Sequence, residues 1–433
     1  MTIKQPNALT RAMSQNGWLL MVVATFAAFS TYSAMYGFRK PFTAAGYKDF
    51  PEILGLSFKS FIVISQVLGY TLSKFVGIKV VSEMGKNRRA IAIVGIVLLA
   101  ELALLGFGAA PMKLKPLFMF LNGIPLGMIW GLVFSYLEGR KFTEIMGVGL
   151  CASFIFASGF AKTVGKWIET ELITAQISIA WMPFFSGLVY LLPLMLFVWL
   201  LNQVPEPSAE DVKLRTKREP MNGKQRWAFF KAFAPGLVLL IVTYTILTAF
   251  RDFRDNFMSN ILDSLGYADQ PDIFTKTELP VTLGVLLFLG TIMFIKDNKR
   301  AFLVNHWVIF SGLLLAGLST FAYQSGAISP LVWISLTGFA TYMAYIPFNC
   351  LLFERMIAHY KYVSTAGFLI YLADSFGYLG SVSVLLFKEL GNKDLSWLSF
   401  FIQFNYALTI LGCIGTVGAL VYFMRRRVNV NNS

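Results

Sequence analysis

Two arginines end long apolar segments at matching places in the two halves of the chain. Arg39 ends a segment that begins at Trp18, and Arg251 ends one that begins at Pro235. A charged side chain within a membrane-spanning segment is costly, and such residues usually contact a substrate, an ion or a partner side chain. A guanidinium donates two parallel hydrogen bonds to a phosphate or a carboxylate. The pair therefore predicts a binding site for a divalent or bidentate anion.

Both arginines also have a structural explanation. Arg39 follows about 21 apolar residues, which span ~31 Å as a helix, so its side chain could instead extend to the outer interface. Asp255 lies one helical turn after Arg251 and could neutralise it in an ion pair within the helix.

Tyrosines and lysines in the same segments could complete an anion site. Tyr32, Tyr36 and Arg39 follow one another at spacings of four and three residues, which places them on one helix face. Tyr244 lies seven residues before Arg251 and shares its face in the same way. Tyrosine hydroxyls can donate hydrogen bonds to an oxyanion, although tyrosines also pack in cores and at membrane interfaces. Three lysines could add positive charge or extend to the headgroups instead: Lys40, Lys74 and Lys162.

The acids in apolar segments matter for ion coupling. Asp374 lies in the middle of a late apolar segment, where it could pair with a buried base or carry a proton. Glu101 could be a carboxylic acid that burial keeps neutral, and we assign it no role. The two histidines, His306 and His359, are far apart and predict no metal site or catalytic triad. No phosphate-binding loop GxxxxGK(S/T) occurs, so the sequence predicts neither an ATP-driven pump nor an enzyme, and no cofactor.

The composition places these residues in a membrane protein. Hydrophobic residues make up 56% of the 433 residues and charged residues 14%, whereas soluble domains have about 45–50% and ~25%. Twelve segments are long and apolar enough to span a bilayer. They cover roughly residues 18–40, 58–80, 90–110, 116–137, 146–165, 181–202, 234–253, 277–296, 302–323, 329–353, 362–387 and 399–424.

The charge distribution predicts the topology. Most of the 37 lysines and arginines fall on the loops that lie inside if the N-terminus is inside, which predicts that both termini are cytoplasmic. The net charge of +14 follows from this bias, so we expect contact with membrane lipid but no nucleic-acid partner. The short loops favour a bacterial inner membrane. A basic, proline-containing stretch predicts a cytoplasmic linker at 203–233 between an N-terminal bundle, 1–202, and a C-terminal bundle, 234–433.

The two halves contain a repeat. Thr31-Tyr32 and Phe38-Arg39 recur as Thr243-Tyr244 and Phe250-Arg251 at one constant offset of 212 residues. A repeat near half the chain length is typical of transporters built from two related six-helix bundles. In such an architecture the two arginines would face each other across a central cavity. The glycines Gly123, Gly127 and Gly131 follow at four-residue spacing, which predicts close helix packing.

Three short stretches of the sequence resemble a known family. The stretch 31–42, TYSAMYGFRKPF, resembles the first helix of the organophosphate:phosphate antiporters of the major facilitator superfamily, which include the glycerol-3-phosphate, hexose-phosphate and glucose-6-phosphate transporters. Ser73-Lys74-Phe75 and the stretch 376–380, FGYLG, are similar to that family's second and eleventh helices. The resemblance implies an all-α membrane protein with twelve transmembrane helices, the major facilitator fold and two pseudo-symmetric six-helix bundles.

The resemblance also implies a function and site residues. Arg39, Lys40, Lys74 and Arg251 would correspond to the family's substrate-binding bases, and Asp374 resembles an acid of some eukaryotic relatives. The implied activity is exchange of a phosphorylated solute against inorganic phosphate by alternating access. The chain departs from the family where Phe156 replaces a histidine and where Lys162 adds a base. The acidic neighbours Asp252 and Asp255 are also unusual beside an anion-binding arginine.

Two other functions stay open. A proton-coupled transporter of an organic carboxylate or sugar acid would use Asp374 as its coupling residue. A transporter-like sensor would bind its ligand without moving it, and the linker 203–233 would contact the signalling partner. The first hypothesis predicts a small anionic solute, with phosphate as a candidate ligand, and a monomer in the cell membrane.

Overall fold

A computed structural model of the chain describes residues 7–84, 86–137, 140, 142–174, 176–208, 211, 223–267, 270, 272–292, 295–360, 366–391 and 394–426. These residues are predominantly helical. Eleven of the described helices are long and apolar enough to cross a membrane, and Phe58–Glu83 is a twelfth long helix. Large apolar side chains such as Leu192 and Leu287 are exposed, as expected of helix faces that contact lipid. The predicted all-α fold with twelve transmembrane helices is confirmed.

The chain divides into two compact units. The first comprises Met1–Tyr47 and Phe61–Thr216, and the second comprises Lys48–Ser60 and Lys217–Ser433. In the predicted linker 203–233, residues 209, 210 and 212–222 lie outside the described residues, and residues 223–233 form the beginning of a helix.

The first unit contains six spans and one short amphipathic helix. Its helices are α1 (Ala8–Gln15), α2 (Gly17–Tyr36), α3 (Phe58–Glu83), α4 (Lys86–Ala109), α5 (Lys115–Leu126), α6 (Ile129–Phe134), α7 (Thr143–Glu171) and α8 (Met182–Asn202). Helices α5 and α6 together make one span that is interrupted by a turn at Gly127 and Met128. In this unit α2 packs against α7 and α8, and α4 packs against α5 and α8.

The second unit contains the other six spans. Its helices are α9 (Gly223–Ser264), α10 (Ile273–Ile292), α11 (Asn298–Gln324), α12 (Pro330–Cys350), α13 (Leu352–Tyr360), α14 (Ala366–Leu386) and α15 (Trp397–Arg425). Helix α14 continues as a π-helical turn, Phe387–Gly391. Helix α9 has 42 residues and is ~63 Å long at the usual helical rise, about twice the thickness of a bilayer's hydrocarbon core.

Glycines permit the closest helix contacts in each unit. A Cβ at position 127 of the α5–α6 span would lie 2.7 Å from Ser73 Cβ of α3, and a Cβ at position 377 of α14 would lie 2.9 Å from Thr248 Oγ1 of α9. Both distances are shorter than atoms tolerate, so only glycine fits. The predicted close packing at Gly123 and Gly127 is confirmed, because Gly123 likewise lies against the α3 backbone.

Candidate functional site

The first candidate residues lie in a turn rather than in a helix. The sequence predicted a helix up to residue 40, but α2 ends at Tyr36. The amides of Arg39 and Lys40 both donate to the Tyr36 carbonyl, at 3.0 and 2.9 Å. Pro41 follows, and because proline has no N–H and clashes with a preceding helical turn, the α-helix cannot continue. The predicted end of the first span was therefore wrong by one turn, and Arg39 and Lys40 belong to the turn that follows it.

Two buried amide side chains hold this turn in place. Gln66 Nε2 of α3 donates to the Arg39 carbonyl at 3.1 Å and to Asn122 Oδ1 at 2.7 Å. Asn122 Nδ2 of α5 donates to the carbonyls of Phe38 and Ala100, both at 3.1 Å. Asn122 is fully buried. The backbone that carries Arg39 is thus fixed to three helices by hydrogen bonds.

Arg39 and Lys74 meet at one aromatic ring. The Arg39 guanidinium carbon lies 4.0 Å from the centroid of the Tyr70 ring, and Lys74 Nζ lies 5.3 Å from the same centroid. Both distances are within the range of cation–π attraction. Arg39 and Lys74 are each only 7% exposed. The structure therefore brings two of the predicted ligands together around Tyr70.

Trp130 of α6 extends this group of side chains. Lys74 Nζ lies 5.9 Å from the Trp130 ring. The indole Nε1 is buried and has no hydrogen-bond acceptor among the described residues. An indole N–H can only donate, so a buried one beside a cation suits the oxygen of an anion. We refer to Arg39, Tyr70, Lys74 and Trp130 as the basic cluster.

The other predicted ligands of the first unit are buried nearby in the fold. The Tyr32 and Tyr36 rings are in edge-to-face contact at 5.6 Å, and Tyr36 lies 5.8 Å from the Arg39 guanidinium. Lys40 and Lys162 are 3% and 2% exposed. Lys162 lies one turn before Gly165 on α7, and Gly165 packs against Pro41. Helix α7 is therefore adjacent to the segment that carries Lys40.

In the second unit Arg251 pairs with the acid next to it. Arg251 Nη2 lies 2.6 Å from Asp252 Oδ1, and the other oxygen of Asp252 accepts a hydrogen bond from Ser381 of α14 at 2.9 Å. The sequence had suggested Asp255 as the partner of Arg251. Asp255 is half-buried on the same helix, while the salt bridge that the structure shows is to Asp252.

A tyrosine pair connects Arg251 to Asp374. The Arg251 guanidinium carbon lies 4.2 Å from the Tyr345 ring centroid, and the Tyr345 and Tyr244 rings stack at 5.2 Å. The Tyr244 hydroxyl lies 2.6 Å from Asp374 Oδ1 and 2.9 Å from the Tyr345 hydroxyl. Because one hydroxyl has one proton, Tyr244 donates to the carboxylate and the Tyr345 hydroxyl can donate to Tyr244. Asp374 thus lies at the end of a buried hydrogen-bonded chain.

A second buried ion pair was not predicted. Arg254 Nη1 lies 2.7 Å from Glu278 Oε1, and Arg254 Nη2 donates to the Ile334 carbonyl at 3.2 Å. The side chains of Arg254 and Glu278 are 2% and 8% exposed. The predicted helix ended at residue 253, one residue before Arg254. That end was wrong, since α9 continues to Ser264 and the pair is part of its buried surface.

Sequence reasoning also missed Gln66, Tyr70, Asn122, Trp130 and Tyr345. None of them carries a charge, so none had the signal that marks an ionisable residue in an apolar segment. Tyr70 could have been found from its spacing, because it lies four residues before Lys74 and therefore on the same helix face.

The chain is similar to solved structures of transporters over almost its whole length. A bacterial homologue of the human drug peptide transporters PepT1 and PepT2 aligns with a TM-score of 0.62 and 13% identity, covering 94% of this chain and 98% of that one. The nucleoside transporter NupG aligns with a TM-score of 0.60 and 13% identity, covering 94% of this chain and 100% of that one. A D-xylose-proton symporter aligns with a TM-score of 0.58 and 17% identity, covering 94% of this chain and 97% of that one. At these identities the likeness shows the fold alone, which is the predicted major facilitator fold.

Comparison with curated protein sequences gives no significant match. The family of unknown function DUF5690 matches residues 41–426, which is most of the chain and covers the greater part of each unit. The protein therefore belongs to the DUF5690 family and has the major facilitator fold.

Proposed function

We propose that this protein is a secondary active transporter that moves a small organic anion across the cell membrane by alternating access. The observation that carries the proposal is the burial of four basic side chains in the first unit, where Arg39, Lys40, Lys74 and Lys162 are all at most 7% exposed. Burying charge in a membrane protein is costly and is usually retained for function. An anionic solute would neutralise this charge when it binds.

Within that class we propose a phosphorylated solute that is exchanged against inorganic phosphate. The support is the guanidinium of Arg39, whose fork matches a phosphate group, and the nearby buried donor Trp130 Nε1. The resemblance of residues 31–42 to the organophosphate antiporters favours the same substrate class. Lys74 would add charge as a point donor. The internal repeat gives Arg251 the same role in the second half, where the anion would compete with Asp252 for the guanidinium.

A ligand panel with purified protein tests the substrate class. The ligands are inorganic phosphate, glycerol phosphate, hexose phosphates, carboxylates and neutral sugars, and the readout is the midpoint of thermal unfolding. A ligand at ~100 times its Kd stabilises the native state by ~2.7 kcal/mol. We expect stabilisation by phosphate esters that is lost in Arg39→Ala and Arg251→Ala and kept in Lys113→Ala, which removes an exposed base of the first unit.

Two outcomes would contradict the proposed substrate class. One is stabilisation by carboxylates or neutral sugars alone. The other is stabilisation by phosphate esters that survives the loss of either arginine.

A proton-coupled transporter of an organic carboxylate or sugar acid is the second candidate function. It is favoured by the hydrogen-bonded chain that ends at Asp374, because a buried carboxylate in line with two tyrosine hydroxyls can accept a proton. In this case an imposed proton gradient alone would drive uptake into vesicles, and Asp374→Asn would abolish that uptake. Uptake that depends on internal phosphate and does not change with the proton gradient would exclude the proton-coupled transporter.

A further inference from the structure

Glu101 is a carboxyl group in the middle of a membrane-spanning helix. It lies on α4 within the span Arg88–Ala109, 13 residues after the start of that span, or ~20 Å at the helical rise. Its position is thus within the hydrocarbon core of a bilayer, which is about 30 Å thick. Glu101 is 6% exposed, and it takes no part in the anion site or the buried chain described above.

The carboxyl group packs against a helix backbone. A Cβ at Gly187 of α8 would overlap Glu101 Oε2 and would lie 2.7 Å from Glu101 Cδ. Neither carboxyl oxygen of Glu101 has a hydrogen-bond partner among the residues that the structure describes. Glycine at position 187 therefore makes the space that the carboxyl group fills, between α4 and α8.

The titratable groups on the surrounding elements are few. The helices that pack against α4 are α5, α6 and α8, with the turn Ile179–Trp181, and their described sequences carry only Lys115 and Tyr190 as titratable side chains. Lys115 Nζ donates to the carbonyls of Phe107 and Gly108 at 2.6 and 3.1 Å. The Tyr190 ring packs against Gly37, and the nearest charged residues beyond it on that segment are Arg39 and Lys40.

These surroundings favour the neutral acid. An ionised carboxylate without hydrogen-bond donors in a packed, apolar contact costs so much free energy that such groups take up a proton instead. Glutamine would fill the same volume without a charge. What glutamic acid adds at position 101 is the ability to release a proton once water reaches it.

Hydrogen bonds connect this part of α4 to the turn that carries Arg39. The carbonyl of Ala100, the residue before Glu101, accepts from Asn122, which also donates to the Phe38 carbonyl. Asn122 accepts in turn from Gln66, which donates to the Arg39 carbonyl. A displacement of α4 at Glu101 would therefore change the hydrogen bonds that fix Arg39.

We propose that Glu101 is a proton-binding site that controls the anion site. In the conformation described here the carboxyl group is protonated. When α4 and α8 separate at Gly187 and water enters, its O–H bond breaks, the proton passes to water and a carboxylate remains. Hydration of that carboxylate keeps the two helices apart and shifts the turn of Arg39 through Asn122. The control of solute binding rests on the proposed function, whereas the protonation of Glu101 does not.

Infrared difference spectroscopy of the full-length protein in lipid vesicles tests the protonation directly. We expect a carboxylic-acid C=O band at neutral pH that is absent in Glu101→Gln, shifts in deuterium oxide and is unchanged in Glu52→Gln, which replaces an exposed glutamate. Gly187→Ala should lower the pH at which the band disappears, since the added methyl pushes the carboxyl out of its packed position. Identical bands in wild type and Glu101→Gln at neutral pH would overturn the proposal.

Transport across a pH series tests the control of the anion site. For phosphate exchange in vesicles we expect the pH profile of the rate to differ between the wild type and Glu101→Gln, in which the remaining pH dependence follows the ionisation of phosphate itself. An unchanged pH profile in Glu101→Gln would overturn this part of the proposal. If the wild type exchanges no anion at any pH, the proposed function fails, while the infrared experiment still decides the state of Glu101.

Discussion

The guanidinium of Arg39 stacks on the ring of Tyr70, with 4.0 Å between the guanidinium carbon and the ring centroid. Lys74 approaches the same ring from the next turn of α3. The ring therefore holds two cations in one place before any solute binds. A preorganised pair of cations loses less conformational entropy on binding than two mobile side chains would.

Two replacements of Tyr70 distinguish the contribution of its ring to anion binding from that of its hydroxyl. Tyr70→Leu removes the cation–π contact, which contributes roughly 0.5–2 kcal/mol, so we expect anion affinity to fall about 2- to 30-fold. Tyr70→Phe keeps the ring and should bind almost as well as the wild type. Titration calorimetry with the best ligand of the panel measures both. Equal losses of anion affinity in the two variants would contradict this expectation and would show that the hydroxyl, not the ring, supports binding.

The Arg254–Glu278 pair predicts an asymmetric effect on stability. Glu278→Gln leaves a buried guanidinium without its counter-charge and should lower the free energy of unfolding by about 3–5 kcal/mol. The double variant Arg254→Met, Glu278→Leu removes both charges and should recover most of that loss. The matched control is Asp272→Asn in the exposed pair with Lys276, for which we expect no measurable change. The measurement is thermal unfolding of the wild type and the three variants in one detergent, which compares their stabilities. A double variant less stable than Glu278→Gln would contradict the interpretation.

The contact of α14 with α9 predicts a strict requirement for glycine. In Gly377→Ala the new methyl would lie 2.9 Å from the Thr248 side chain, so the two helices must move apart. We expect a lower unfolding temperature and a weaker hydrogen bond between Tyr244 and Asp374, which these helices carry. Gly290→Ala on α10 is the control, since a Cβ there meets no atom within 4 Å and alanine favours the helix. Two equally stable variants would refute the close packing.

Asp374 distinguishes the two candidate functions. In Asp374→Asn the new amide oxygen can still accept from the Tyr244 hydroxyl, so the packing of the site should survive. If the protein exchanges anions, we expect this variant to retain exchange close to the wild-type rate. Vesicle assays with and without a proton gradient measure it. Loss of all transport together with normal thermal stability would favour the proton-coupled alternative.

The fold could be predicted from the sequence because hydropathy and charge determine which segments enter a membrane. All twelve spans were found in this way. The errors lie at helix ends, where hydropathy is a poor guide. Helix α2 ends early because the turn 37–40 is held by Gln66 and Asn122. Helix α9 continues past its apolar segment because a buried partner, Glu278, accepts the charge of Arg254.

The candidate site could be predicted only in part. Burial of Arg39 and Lys74 follows from their apolar surroundings, and the repeat marked Arg39 and Arg251 as a related pair. The meeting of Arg39 and Lys74 at Tyr70 depends on how the turn after α2 lies against α3, which no spacing in the sequence encodes. The choice of Asp252 over Asp255 as the counter-charge of Arg251 depends on side-chain direction and on Ser381.

The most direct test of the central claim is anion exchange in vesicles that contain the purified protein. Vesicles are loaded with inorganic phosphate, and the uptake of labelled phosphate and labelled phosphate esters is compared for wild type, Arg39→Ala, Lys74→Ala and the control Lys113→Ala. We predict exchange by the wild type and the control. Loss of a charged hydrogen bond of about 1.5–3 kcal/mol should weaken apparent affinity about 10- to 150-fold in Arg39→Ala. Wild-type vesicles that exchange no anion, or an Arg39→Ala variant that exchanges as well as the wild type, would contradict the account.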